Sequence, residues 1–144
     1  MIGSVLDKYE VLQKLGEGGM ATVYRGRHTT LGRDVAIKIL HPALTRDVQI
    51  AKRFEREAQS VARLEHPNIV GVVEFGTTAD RGYKFIVMQL LEGTELHNLL
   101  GDALHIRRGV DFMLQILGAL DHAHQHGVIH RDLKPENIFV TRDH

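Results

Sequence analysis

Hydrophobic and polar positions alternate along the first forty residues and then change period. Tyr9 to Leu15 reads as a strand, the turn Gly16-Glu17-Gly18-Gly19 follows, and a second strand lies near Ala21 to His28. Glycine-rich punctuation between two strand-like runs predicts a hairpin. After Leu31-Gly32, Arg33 to Leu40 makes a third strand. Val35, Ile37 and Ile39 fall on one of its faces, and Ala36, Lys38 and Leu40 on the other. From about Asp47 to Leu64 the spacing turns helical, with Ile50, Phe54, Val61 and Leu64 separated by gaps of four, seven and three. The position that completes this stripe is Glu57. A carboxylate in an apolar stripe is costly unless something pairs with it, so the pattern predicts a cationic partner.

His66-Pro67-Asn68 ends the helix. Two more strands, near Ile69 to Gly76 and Tyr83 to Leu90, bring the count to a five-stranded antiparallel sheet. A short helix is expected from Thr94 or Glu95. A longer one, Ile106 to Gln125, carries Ile106, Val110, Met113, Leu117, Leu120 and His124 in a four-three rhythm, with Gly127 as its C-terminal cap. Val128 to His144 reads as loop and then the start of a strand, with a turn at the last residues. The change from strands to helices near Gly93 predicts two lobes with a hinge between them.

Composition narrows the function. Lysine plus arginine and aspartate plus glutamate number 18 each, so no net field favours nucleic acid or an anionic membrane. The absence of cysteine excludes disulfides, thiol catalysis and cysteine-based metal sites, and it fits a cytoplasmic setting. No basic leader opens the chain, and the apolar run from Phe85 to Leu91 is too short to cross a bilayer.

Three segments carry candidate chemistry. Gly16-Glu17-Gly18-Gly19-Met20-Ala21-Thr22-Val23 fits G-x-G-x-x-G-x-V except for alanine at the third glycine. Such a turn lets backbone N–H groups approach phosphate oxygens, although glycine-rich hairpins are common and the match alone is weak. In Val35-Ala36-Ile37-Lys38, Lys38 shares a strand face with Ala36, about 6–7 Å away. That face can offer a small residue to a flat ring and an ammonium to phosphates beyond it. An isolated strand lysine more often faces solvent; Glu57, in want of a partner, makes an ion pair with Lys38 the economical expectation. The third segment, His130-Arg131-Asp132-Leu133-Lys134-Pro135-Glu136-Asn137, matches H-R-D-L-x-x-x-N at every fixed position.

From Tyr9 onward the chain resembles the eukaryotic-like serine/threonine protein kinases of bacteria. The resemblance implies an α+β, protein-kinase-like fold over 1–144: a small lobe (about 9–88) built on the five-stranded sheet and one long helix, a hinge (89–93), and the start of a helical large lobe (94–144). It implies that Leu15, Val23, Ala36 and Met88 enclose the adenine of ATP, with Phe139 as the floor and Gln89 to Leu91 as the hinge. Lys38, paired to Glu57, would hold the phosphates under the turn Gly16 to Val23. Asp132 would accept the substrate hydroxyl's proton, Lys134 would contact the γ-phosphate and Asn137 would bind Mg2+. The partners implied are proteins bearing serine or threonine acceptors.

The family's D-F-G segment does not occur in the sequence. The chain therefore reads as a partial kinase domain, expected to be catalytically silent alone. Its last strand is expected to lack a hairpin partner and the stripe on Ile106 to His124 to lie exposed. A non-catalytic nucleotide- or partner-binding fragment is the alternative, and a remnant without a stable fold a third reading. Of the helix histidines, only His122 and His126 share a face, too few ligands for zinc, while His124 is expected to pack in the core.

Overall fold

A computed structural model describes residues 1–101 and 103–142. The chain divides into two compact units, Met1–Arg63 with Val70–Leu90, and Leu64–Ile69 with Leu91–His144.

The first unit is a six-stranded antiparallel sheet in the order β1-β2-β3-β4-β6-β5, with one helix. Its elements are β1 (Val5–Leu6), β2 (Tyr9–Glu17), β3 (Ala21–His28), β4 (Asp34–Leu40), α1 (Val48–Ala62), β5 (Val72–Thr77) and β6 (Lys84–Gln89). The five expected strands are all present. The sixth, β1, is a two-residue edge whose single buried side chain, Leu6, is too little for a period to register. Alternation on β4 sorts as the sequence implies. Val35, Ile37 and Ile39 join Leu6, Tyr9, Val11, Phe85 and Val87 in one core cluster. On the opposite face, Leu40 joins Ala21, Ile86 and the helix residues Ala51, Phe54 and Ala58 in another. Asp47 caps α1, accepting from the N–H groups of Gln49 and Ile50 at 3.0 and 3.2 Å.

The sheet is strongly curled. Tyr9 on β2 and Glu74 on β5 are four strands apart in the sheet order, about 19 Å if the sheet were flat. Yet the Tyr9 hydroxyl donates to Glu74 Oε2 at 2.8 Å, and Lys8 Nζ lies 3.0 Å from the same oxygen. This staple closes one end of the first core cluster.

In the second unit, Gly93–Glu95 (β7) pairs antiparallel with Phe139–Thr141 (β8). This corrects two expectations. Thr94 and Glu95 belong to a strand, with the short helix α2 (Leu96–Leu99) beginning after them, and the last strand, expected to be unpaired for want of a hairpin partner, is paired along one edge with the distant β7. Gly93 is required here, because a Cβ would sit 2.0 Å from the Val140 carbonyl oxygen. Helix α3 (Ile106–Gln125) ends as expected at Gly127, with φ +74° and the Val128 N–H bonded to the Ala123 carbonyl at 2.9 Å. The expected stripe on α3 lies open: Ile106, Val110, Met113 and Leu117 are all exposed. His124 continues that open stripe and is exposed, which corrects its expected place in the core; the buried side near the helix end is Ala123. The turn expected at Asp143 and His144 lies outside the described residues.

Burial first, and the acceptor Glu74 next, push the Tyr9 hydroxyl up to about 12 from its ordinary 10.0. A group raised on folding contributes stability below its unfolded pKa and loses it as pH rises through the folded one. Tyr9→Phe should therefore flatten the loss of stability between about pH 10 and 12. In an ultraviolet titration of the chain, it should remove the phenol that ionises at about 12.

Candidate functional site

In the first unit, β2 and β3 carry the glycine-rich hairpin. Gly16 and Glu17 end β2, Gly18 to Met20 make the turn, and Ala21, Thr22 and Val23 open β3. The turn closes on a Gly18 N–H to Ala21 carbonyl bond of 2.9 Å. A Cβ added to Gly16 or Gly19 would meet no protein atom within 4 Å, and neither residue has a positive φ. The chain's own packing does not require glycine at these two positions. What glycine leaves there is open backbone, accessible to something from outside.

Lys38 and Ala36 stand on β4. Lys38 is paired in register with Val23 on β3, and Ala36 with Met88 on β6. Val23, Ala36, Lys38 and Met88 thus form one contiguous patch, while Leu15 on β2 is exposed and Gln89 ends β6. The predicted ion pair is not formed. The Lys38 ammonium sits 6.0 Å from the centroid of the Phe54 ring. Glu57 is directed to solvent, with a carboxylate oxygen 3.9 Å from Arg53 Nε on the same helix. The reason lies in the face α1 buries. Its inward residues are Ala51, Phe54 and Ala58, and Glu57, three residues past Phe54, falls about 60° from Phe54 on the side away from Ala51 and Ala58.

In the second unit, the segment Ile129–Asn137 holds the remaining candidates. The Asn137 amide Nδ2 donates to the Asp132 carbonyl at 2.8 Å and to Asp132 Oδ2 at 3.2 Å. Lys134 Nζ lies 3.7 Å from the same carboxylate oxygen. The Asp132 N–H donates to His130 Nδ1 at 3.2 Å, and Arg131 between them has φ +66°, an uncommon backbone state for a residue with a Cβ. A 3-10 turn, Pro135–Asn137, returns Asn137 towards Asp132. With Nδ2 so engaged, the Asn137 Oδ1 remains as an acceptor for a cation. Asp132 itself is exposed at its side chain. Leu91 precedes β7, and Phe139 begins β8.

Residues 9–144 match the family model for the protein kinase domain. The chain belongs to the protein kinase family. It is 42% identical over 146 residues to a probable serine/threonine-protein kinase of Clostridium perfringens, covering 99% of this chain and 21% of that protein. It is 44% identical over 135 residues to a serine/threonine-protein kinase of Myxococcus xanthus, covering 92% and 24%. Its structure is similar to the kinase domain of PknI from Mycobacterium tuberculosis, with TM-score 0.82 and 31% identity over 99% of this chain and 58% of that one. The chain thus spans about a quarter or less of the curated relatives it matches.

Protein kinases generally use ATP and Mg2+, and they require a strand lysine and a helix glutamate to be in place together. In this chain Lys38 stands on a strand and Glu57 on a helix, and the two are held apart. Three histidines also gather near one end of α3. The ring centroids of His66 and His122 are 5.3 Å apart and those of His122 and His126 4.4 Å, and His122 Nε2 is buried without a hydrogen-bond partner. Among the described residues no group of three or more histidine, cysteine or acidic side chains is placed to hold a metal ion.

Two substitutions on α1 should separate burial from charge. Phe54→Ala should cost about 3–5 kcal/mol in a denaturant melt. Glu57→Ala should change stability by less than about 0.5 kcal/mol, since its pair with Arg53 is exposed.

Proposed function

We propose that this chain is the ATP-binding and catalytic-loop portion of a serine/threonine protein kinase, moving the γ-phosphoryl group of ATP to protein hydroxyls. The observation that carries the reading is the clamp of Asn137 on Asp132 with Lys134 beside it. It fixes a carboxylate, a cation and a free amide oxygen within one short segment.

Each residue then has a stated task. The Asp132 carboxylate orients the substrate hydroxyl and takes its proton as the oxygen attacks the γ-phosphorus and the bond from that phosphorus to the bridging oxygen of the departing ADP breaks. Lys134, its ammonium drawn to Asp132, offers positive charge to the γ-phosphate. Asn137 gives Oδ1 to Mg2+ while its amide hydrogens hold the loop closed. In the first unit, the backbone from Gly16 to Val23 faces the phosphates, Lys38 meets the α- and β-phosphates, and Leu15, Val23, Ala36 and Met88 supply apolar walls for the adenine. Gln89 to Leu91 and Phe139 are the further positions assigned to the nucleotide. Mg2+ bound with ATP supplies neutralisation of phosphate charge. The open backbone at Gly16 and Gly19 and the free oxygen of Asn137 fit such ligands. The reaction belongs in the cytoplasm, where ATP is abundant; no helix among the described residues is long and apolar enough to cross a membrane.

One observation favours a second reading for these 144 residues alone. Glu57 faces Arg53, so Lys38 lacks the carboxylate that would orient it, and no D-F-G aspartate is present in the sequence. The chain by itself then binds nucleotide or a partner without transferring phosphate. Glu57 is assigned its role for a state in which α1 has rotated towards Lys38.

In the full-length kinase, Asp132→Ala should lower turnover about a hundred- to ten-thousandfold while ATP binding persists. Undiminished phosphorylation of serine or threonine by that variant would remove Asp132 from the mechanism. The 144-residue chain with labelled ATP, magnesium and a basic protein substrate should transfer no label.

A further inference from the structure

His41 stands at the end of the sheet where the glycine-rich turn is made. The strand registers explain how it arrives there. Glu17 pairs with Thr22 across β2 and β3, and Ala21 pairs with Leu40 across β3 and β4. The next residue, His41, continues that ladder by donating its N–H to the Met20 carbonyl at 2.8 Å.

The backbone that launches the imidazole is fixed on both sides. Pro42 follows and holds His41 extended, at φ −55° and ψ 132°. The His41 carbonyl accepts from the Leu44 N–H at 2.8 Å and from the Thr45 hydroxyl at 3.4 Å. From this base the ring places Nε2 3.1 Å from Thr22 Oγ1 and 4.0 Å from Glu17 Oε1. Thr22 is buried, so its hydroxyl has little recourse to water, and His41 is the partner it meets. Glu17 is also bonded by Lys14, which foremost holds its carboxyl below the usual range, with attraction from His41 adding to it. The ring therefore bonds Thr22 on β3 and lies beside Glu17 on β2, while the backbone N–H of His41 holds the Met20 carbonyl of the turn.

We infer that His41 is a positioning residue that holds the glycine-rich turn in its hairpin form, through Thr22 and Glu17, and thereby sets nucleotide affinity. The second half of this statement rests on the nucleotide-binding reading of the turn. The first half does not. The turn's own holds are the Gly18 N–H to Ala21 carbonyl bond and the packing of Met20 on the second core cluster; Gly16, Gly18 and Gly19 carry no side chains to add to them, and the open backbone that suits a phosphate also lets the turn fray.

The test uses the 144-residue chain and two readouts. Amide hydrogen exchange at Gly18 reports the turn without any ligand. MgATP titration reports the affinity. His41→Ala should speed exchange at Gly18 and weaken MgATP binding, each by about three- to tenfold, the worth of one hydrogen bond. His41→Gln, whose amide can replace Nε2, should recover most of both. Thr22→Val should weaken binding to a similar degree, and adding His41→Ala to it should change little further, because the two share one contact. Unchanged Gly18 exchange in His41→Ala, or equal losses in His41→Ala and His41→Gln, would overturn the assignment. If exchange responds as stated while the unaltered chain binds no MgATP, the nucleotide reading fails and the anchoring role stands. Should His41→Ala not fold, Thr22→Val carries the same comparison.

Discussion

The seating of Phe54 beneath the sheet decides the arrangement of everything near it. Its ring is fully buried with Leu40 and Ile86 and lies 6.5 Å from the ring of Phe75, tilted by 57°. Burying such a side chain contributes about 1.5–3 kcal/mol, whereas an exposed ion pair contributes about 0–1. When the two demands conflict, the ring wins. Phe54, flanked by Ala51 and Ala58, sets the rotation of α1; that rotation turns Glu57 outward to Arg53 and leaves the Lys38 ammonium over an aromatic ring. A pair between Lys38 and Glu57 must be bought by turning the helix against this packing, so something beyond the first unit's own core has to drive it.

The segment Ile129–Asn137 stores tension of a different kind. Arg131 sits in the left-handed region, at a cost of order 1–3 kcal/mol for a residue of its size. The bonds on either side offset it: the Asp132 N–H to His130, and the Asn137 amide to the Asp132 carbonyl and carboxylate. His130 and Asn137 are thus what makes the Asp132 position tenable, which explains in physical terms why the motif needs its first and last residues as well as the aspartate. A hairpin of glycines and a strained loop have different needs: His41 adds an outside hold to the turn's own Gly18 to Ala21 bond, and the loop is held by its own residues.

Much of this was legible in the residues. Period-two alternation placed Val35, Ile37 and Ile39 in one core and Leu40 in the other, and the cap at Gly127 was visible as a glycine after an apolar helix. The loop motif gave Asp132, Lys134 and Asn137 as a set because all their partners lie within eight residues. The ion pair was misread for a specific reason. A stripe drawn through the large residues Ile50, Phe54, Val61 and Leu64 runs through Glu57, but the helix packs on the small ones, Ala51 and Ala58, which a search for bulk passes over. His41 was missed because its partners are 19 and 24 positions away and become neighbours only through strand register. Gly93 and Val140 likewise meet only once β7 and β8 pair.

The central claim is that apolar packing of Phe54, and not attraction between Lys38 and Glu57, sets the position of α1 in this chain. A double-mutant cycle with Lys38→Met and Glu57→Gln, read as unfolding free energies without nucleotide, tests it most directly. The account predicts a coupling indistinguishable from zero, within about 0.5 kcal/mol. A favourable coupling well above about 1 kcal/mol would show that the pair forms in the resting chain and would contradict it.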